Sequence, residues 1–70
     1  MKEIWLLKIT QKSLKTNKEY IFKYTTPITN DKKDQQDLSR VIATFTPKRG
    51  YEIKSITIEK EIVLLWYILE

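Results

Sequence analysis

The hydrophobic period of this chain changes twice, and that alternation constrains its fold more than any other feature. Over residues 3–10, Trp5, Leu7 and Ile9 occupy one parity and Ile4 and Leu6 the other. Residues 20–26 alternate strictly, with Tyr20, Phe22 and Tyr24 set against Ile21, Lys23 and Thr25. Aromatic and β-branched runs with a period of two predict strands, here over about 3–12 and 19–26. Leu38, Val41, Ile42 and Phe45 then recur at i, i+3, i+4 and i+7, a single stripe that predicts a helix over about 32–45. Beyond Pro47 and the only glycine, Gly50, the short period returns. Residues 51–58 and 61–69 read as two further strands, with a charged joint at Glu59-Lys60.

The connections fit these elements. Lys15-Thr16-Asn17-Lys18 is polar, and Asn17 tolerates the positive φ of a tight turn. A two-residue turn at Thr16-Asn17 pairs Ile9 with Tyr24, Gln11 with Phe22 and Ser13 with Tyr20. That register gathers Trp5, Leu7, Ile9, Tyr20, Phe22 and Tyr24 on one face. Pro27 closes the second strand, and Thr29-Asn30-Asp31 supplies N-cap candidates. Pro47 disfavours helix at the preceding residue, and Gly50 suits a left-handed position.

This β-β-α-β-β order predicts a single α+β domain over residues 1–70. The helix packs on one face of a four-stranded mixed sheet. The first and last strands are apolar on both parities and belong in the middle, which gives the order 2-1-4-3. In element order over the whole chain, this arrangement resembles the β-grasp architecture of ubiquitin-like and immunoglobulin-binding bacterial domains. No residue motif accompanies the resemblance. It implies that strands 1 and 4 run parallel.

The chain has neither cysteine nor histidine, so disulfides and the common zinc frameworks are excluded. The commonest general base and the best nucleophile are missing with them, and the expectation is a non-enzyme with no catalytic residue, metal or cofactor. Asp31, Asp34 and Asp37 read as helix-start and solvating acids. A domain of this size buries only about 60% of its unfolded surface, so a binding partner is a natural supplement to its core.

If Trp5, Leu7 and Ile9 face the helix, then Ile4, Leu6 and Ile21 face away. The last strand adds a second apolar row from Ile62, Leu64, Trp66 and Ile68, or from Val63, Leu65, Tyr67 and Leu69. So large an apolar area on a second face predicts a covering protein, either a target or a second copy in a homodimer. The residues assigned to that contact are Ile4, Leu6, Ile21, Trp66 and Tyr67, with Trp5 as a further aromatic anchor. The function expected is a small protein-binding regulator or inhibitor that occludes a partner's surface through its sheet face or an edge strand. Lysine and isoleucine fill twenty-one of the seventy positions, a usage suited to a phage or mobile element of an AT-rich bacterium.

Charge supports an alternative. The net charge is +4, and residues 1–30 carry six lysines against two glutamates while residues 31–70 are neutral. Lys12, Lys15, Lys18 and Lys23 surround the aromatics of the second strand, and Lys48-Arg49 forms a second basic spot, placed far from the first hairpin's tip. These six residues are candidates for binding nucleic acid or an acidic partner, although the hairpin register assigns the aromatics to the core. No apolar run approaches the roughly 20 residues of a spanning helix, and the apolar run at the N-terminus is too short for a signal peptide. A cytoplasmic protein without membrane contact is the expectation.

Overall fold

The computed structural model describes residues 2–63. It contains β1 (Lys2–Ser13), β2 (Glu19–Pro27), α1 (Lys33–Thr44) and β3 (Tyr51–Val63). The three strands form one antiparallel sheet in the order β2-β1-β3. This corrects the four-stranded, mixed, β-grasp-like sheet of order 2-1-4-3. The chain does not turn at Glu59-Lys60; one strand continues from Tyr51 to Val63. Both charges at the expected joint are satisfied across the ladder, Glu59 by Lys8 at 3.2 Å and Lys60 by Glu3 at 2.9 Å. Without glycine or asparagine to favour a left-handed position, the backbone there extends. The remainder of the expected fourth strand, residues 64–69, lies outside the described residues.

The first hairpin keeps its faces but shifts its register. Leu7 opposes Tyr24, Ile9 opposes Phe22 and Gln11 opposes Tyr20. Relative to the expected pairing each partner moves by two residues, and a shift of two preserves the side-chain face. The turn is longer for the same reason. The Ser13 amide donates to the Lys18 carbonyl at 2.8 Å, and Asn17 supplies the positive φ of 61°. Inside the loop, the Ser13 hydroxyl accepts from the amides of Lys15 (3.2 Å) and Thr16 (3.1 Å), a local closure typical of serine turns.

β1 lies between the other two strands, as suits its apolar residues on both parities. Leu7 and Ile9 are fully buried and form the core with Leu38 of α1. Trp5, Phe22, Tyr24, Val41, Ile42 and Phe45 pack around them, with Phe22 and Phe45 at 5.1 Å between ring centroids. The helical stripe therefore closes on the face chosen by β1 and β2.

The helix start differs from the capping expectation. Lys32 takes the N-cap position at φ 66° without a side-chain cap. Two of the proposed capping residues still serve the first turn: Asp31 Oδ1 accepts from the Lys33 amide at 3.2 Å, and Thr29 Oγ1 accepts from the Asp34 amide at 3.4 Å.

β3 carries one irregularity with a large effect. Thr10 opposes Ser55 but Gln11 opposes Ile53, so Lys54 is an extra residue in the ladder, a β-bulge. The bulge reverses parity. Tyr51 and Ile53, at odd positions, thereby share the helix side with Ile56 and Ile58, at even ones.

Candidate functional site

Two surfaces outside the core combine residues from distant parts of the chain. The first is the helix-side row of β3. Ile58 and Ile56 oppose the buried Leu7 and Ile9, yet they are 47% and 42% exposed, and Ile53 is 43% exposed. The aliphatic row and the helix fail to meet because α1 packs over β1 and β2. Between them runs an apolar groove of about 260 Å³, lined by Trp5, Gln35, Leu38, Ser39, Ile42 and Ile58. Further along, Ile62 opposes Glu3 and is 55% exposed.

The rim of the groove is fixed by polar contacts. The Trp5 indole N–H donates to Asp34 Oδ2 at 2.7 Å, and the Thr29 hydroxyl donates to Oδ1 at 3.0 Å. Asp34 is only 3% exposed, and the indole bond, opposed in part by burial, holds its carboxyl below the ordinary range. Asp37 is lowered too, by the Tyr24 hydroxyl that donates to it and by Arg40 at 2.5 Å. The same Tyr24–Asp37 bond raises the tyrosine's pKa. The two helix acids thus fasten α1 to the sheet. Among the described residues no group of three or more acidic side chains is placed to hold a metal ion.

The second surface is the loop end of the sheet. The Leu14 amide donates to the Gly50 carbonyl at 2.9 Å, which joins the β1–β2 turn to the α1–β3 loop. The buried Gln11 accepts from the Lys48 amide at 2.7 Å, and Gly50 turns the chain into β3 at φ 83°. Lys48-Arg49 therefore lies beside the hairpin tip, not far from it. Tyr20 and Tyr51 meet edge to face at 5.5 Å, with the Lys48 ammonium 4.1 Å from the Tyr20 ring centroid. Tyr20 is 49% exposed and Leu14 65%.

The proposed partner-binding residues fall differently. Ile4, Leu6 and Ile21 do lie on the face away from α1, but the opposed Lys8 and Lys23 separate Leu6 from Ile21. Leu6 is already 9% exposed, Ile4 is half-buried and Ile21 is 52% exposed. β3 contributes Glu52, Ser55, Thr57, Glu59 and Glu61 to this face, with Val63 at its end, where it lines a depression with Lys2, Ile4 and Thr25. Trp66 and Tyr67 lie outside the described residues. Trp5 is half-buried and committed to Asp34. Of the basic candidates, Lys15, Lys18, Lys48 and Arg49 gather at the loop end. Lys12 lies at the same end but on the face away from α1, opposed by Glu19 and Glu52, while Lys23 sits mid-sheet opposite Lys8.

Residue patterning missed Ile53, Ile56 and Ile58 as one row, because the bulge conceals their common face. It also missed Tyr51, whose position directly after Gly50 was the available signal. Comparison with family models, curated proteins and solved structures found no match.

Proposed function

We propose that the protein is a non-enzymatic binding module that engages another protein along β3, acting in the cytoplasm as a regulator or inhibitor by covering part of that partner. One observation carries this reading: Ile53, Ile56 and Ile58 are left 42–47% exposed beside the core of a small domain. A partner presenting an extended apolar segment gains by covering that row and filling the groove at Trp5, Leu38 and Ile42. Lys54, Glu59, Lys60 and Glu61 punctuate the same strand and oppose indiscriminate strand addition, which favours a selected partner over aggregation.

The test is capture of host proteins by tagged wild type and by Ile58→Glu, with Lys23→Glu on the opposite face as control. Circular dichroism establishes that each is folded, and light scattering gives its mass. A partner held by wild type and Lys23→Glu but lost with Ile58→Glu supports the reading. Capture indifferent to Ile58→Glu contradicts it. So does a stable dimer that Ile58→Glu converts to monomer, since the row is then occupied by a second copy.

A further inference from the structure

We infer that the loop end of the sheet is a binding site for single-stranded nucleic acid, on observations separate from the β3 row. Charge placement comes first. Residues 11–20 and 46–55 contain six basic side chains and two acidic ones, whereas the rest of the chain has seven of each. The whole net charge of +4 therefore resides in the two segments that the Leu14–Gly50 and Gln11–Lys48 hydrogen bonds hold together. Lys15, Lys18, Lys48 and Arg49 make no ion pair with any described residue, whereas Lys12 is opposed by Glu19 and Glu52 and helps to lower the pKa of Glu19. Glu19, by contrast, is engaged by Lys54 at 2.5 Å, and that hydrogen-bonded ammonium lowers its pKa. Unpaired cations concentrated at one end attract a polyanion.

The aromatic pair selects the kind of polyanion. Half-exposed Tyr20, braced edge-on by Tyr51, presents a ring at this end of the sheet, directly beside Lys48. An unpaired base stacks on such a ring while flanking phosphates meet the lysines. The Lys48 ammonium already rests on the Tyr20 ring, and it exchanges that ring for a phosphate as the base arrives. Bases within a duplex are stacked on each other and offer no free face. An acidic protein meets the same cations without a planar base to stack on the ring, and a polyglutamate competitor separates the two.

Fluorescence anisotropy with labelled oligothymidine, a matched DNA duplex and polyglutamate as competitor tests this site. With Lys15, Lys18, Lys48 and Arg49 each meeting a phosphate, log affinity falls against log salt with a slope of about −3, roughly −0.7 per contact. Tyr20→Ala weakens binding about tenfold and Tyr20→Phe restores it. Arg49→Ala weakens binding and reduces the slope by about 0.7. Lys33→Ala, at the start of α1, leaves binding unchanged. The proposal is overturned by absence of binding at low salt, by indifference to Tyr20→Ala, by duplex affinity equal to that of the single strand, or by displacement with polyglutamate at equal charge concentration.

Discussion

Truncating Leu7 and Ile56 to alanine separates the closed part of the core from its open flank. The two residues lie on the same side of the sheet, on neighbouring strands. Leu7 is fully buried. Its truncation removes about 2.4 kcal/mol of transfer energy, at ~0.8 kcal/mol per methylene. The cavity left behind raises the total to about 3–4 kcal/mol. Ile56 is 42% exposed, so little more than half of the same transfer term applies. Water fills the space without a cavity penalty, and the cost is about 1.4 kcal/mol. Domains hold about 0.05–0.15 kcal/mol per residue, so the first change consumes much of the stability and the second leaves a folded protein. Urea unfolding followed by far-UV circular dichroism, at two protein concentrations tenfold apart, measures both. Equal losses for the two variants would refute the reasoning, because Ile56 would then be as well covered as Leu7. A midpoint that rises with concentration would locate the cover in a second copy.

Two further outcomes follow from the fastenings and the bulge. Asp34 and Asp37 have folded pKa values below their ordinary 3.8, so their stabilising contribution is complete above that value and is lost as pH falls through the lowered ones. Urea midpoints should drop on acidification below about pH 3.8, with a smaller drop in Asp37→Asn. Deleting Lys54 removes the extra residue and leaves every β3 side chain on its present face. Deleting Thr57 turns Ile56 to the opposite face and costs at least about 1 kcal/mol more, as read by thermal melting.

The parts of the fold legible from sequence are those governed by local period. Alternation at Tyr20, Phe22 and Tyr24 and the stripe at Leu38, Val41, Ile42 and Phe45 each specified both element and face, although Tyr20, assigned to the core with the others, is 49% exposed. The central position of β1 followed from Ile4 and Leu6 opposite Trp5, Leu7 and Ile9. What failed depended on distant partners. Glu59-Lys60 looked like a joint because two adjacent charges interrupt an apolar run, and only their cross-strand partners Lys8 and Glu3 reveal them as strand residues. Of the second apolar row expected on the far face, only Ile62 and Val63 are among the described residues: Val63 lies on that face opposite Lys2, whereas Ile62 lies on the helix side opposite Glu3. The bulge at Lys54 has no local signature, and it alone aligns Ile53 with Ile56 and Ile58. Lys12, Lys15, Lys18, Lys48 and Arg49 were each legible as basic candidates, but their meeting was not. It rests on the hydrogen bonds of Gly50 with Leu14 and of Lys48 with Gln11, across long stretches of chain.

The isoleucine row of β3 stands open beside a closed core. The native chain has no cysteine, so single-cysteine variants report on one position at a time. The most direct measurement is the rate of maleimide labelling of Ile58→Cys in the folded protein, relative to Leu14→Cys in the exposed turn and Leu7→Cys in the core. Ile58→Cys is expected to label within a few-fold of Leu14→Cys, while Leu7→Cys is protected by orders of magnitude. Protection of Ile58→Cys comparable to that of Leu7→Cys would contradict it.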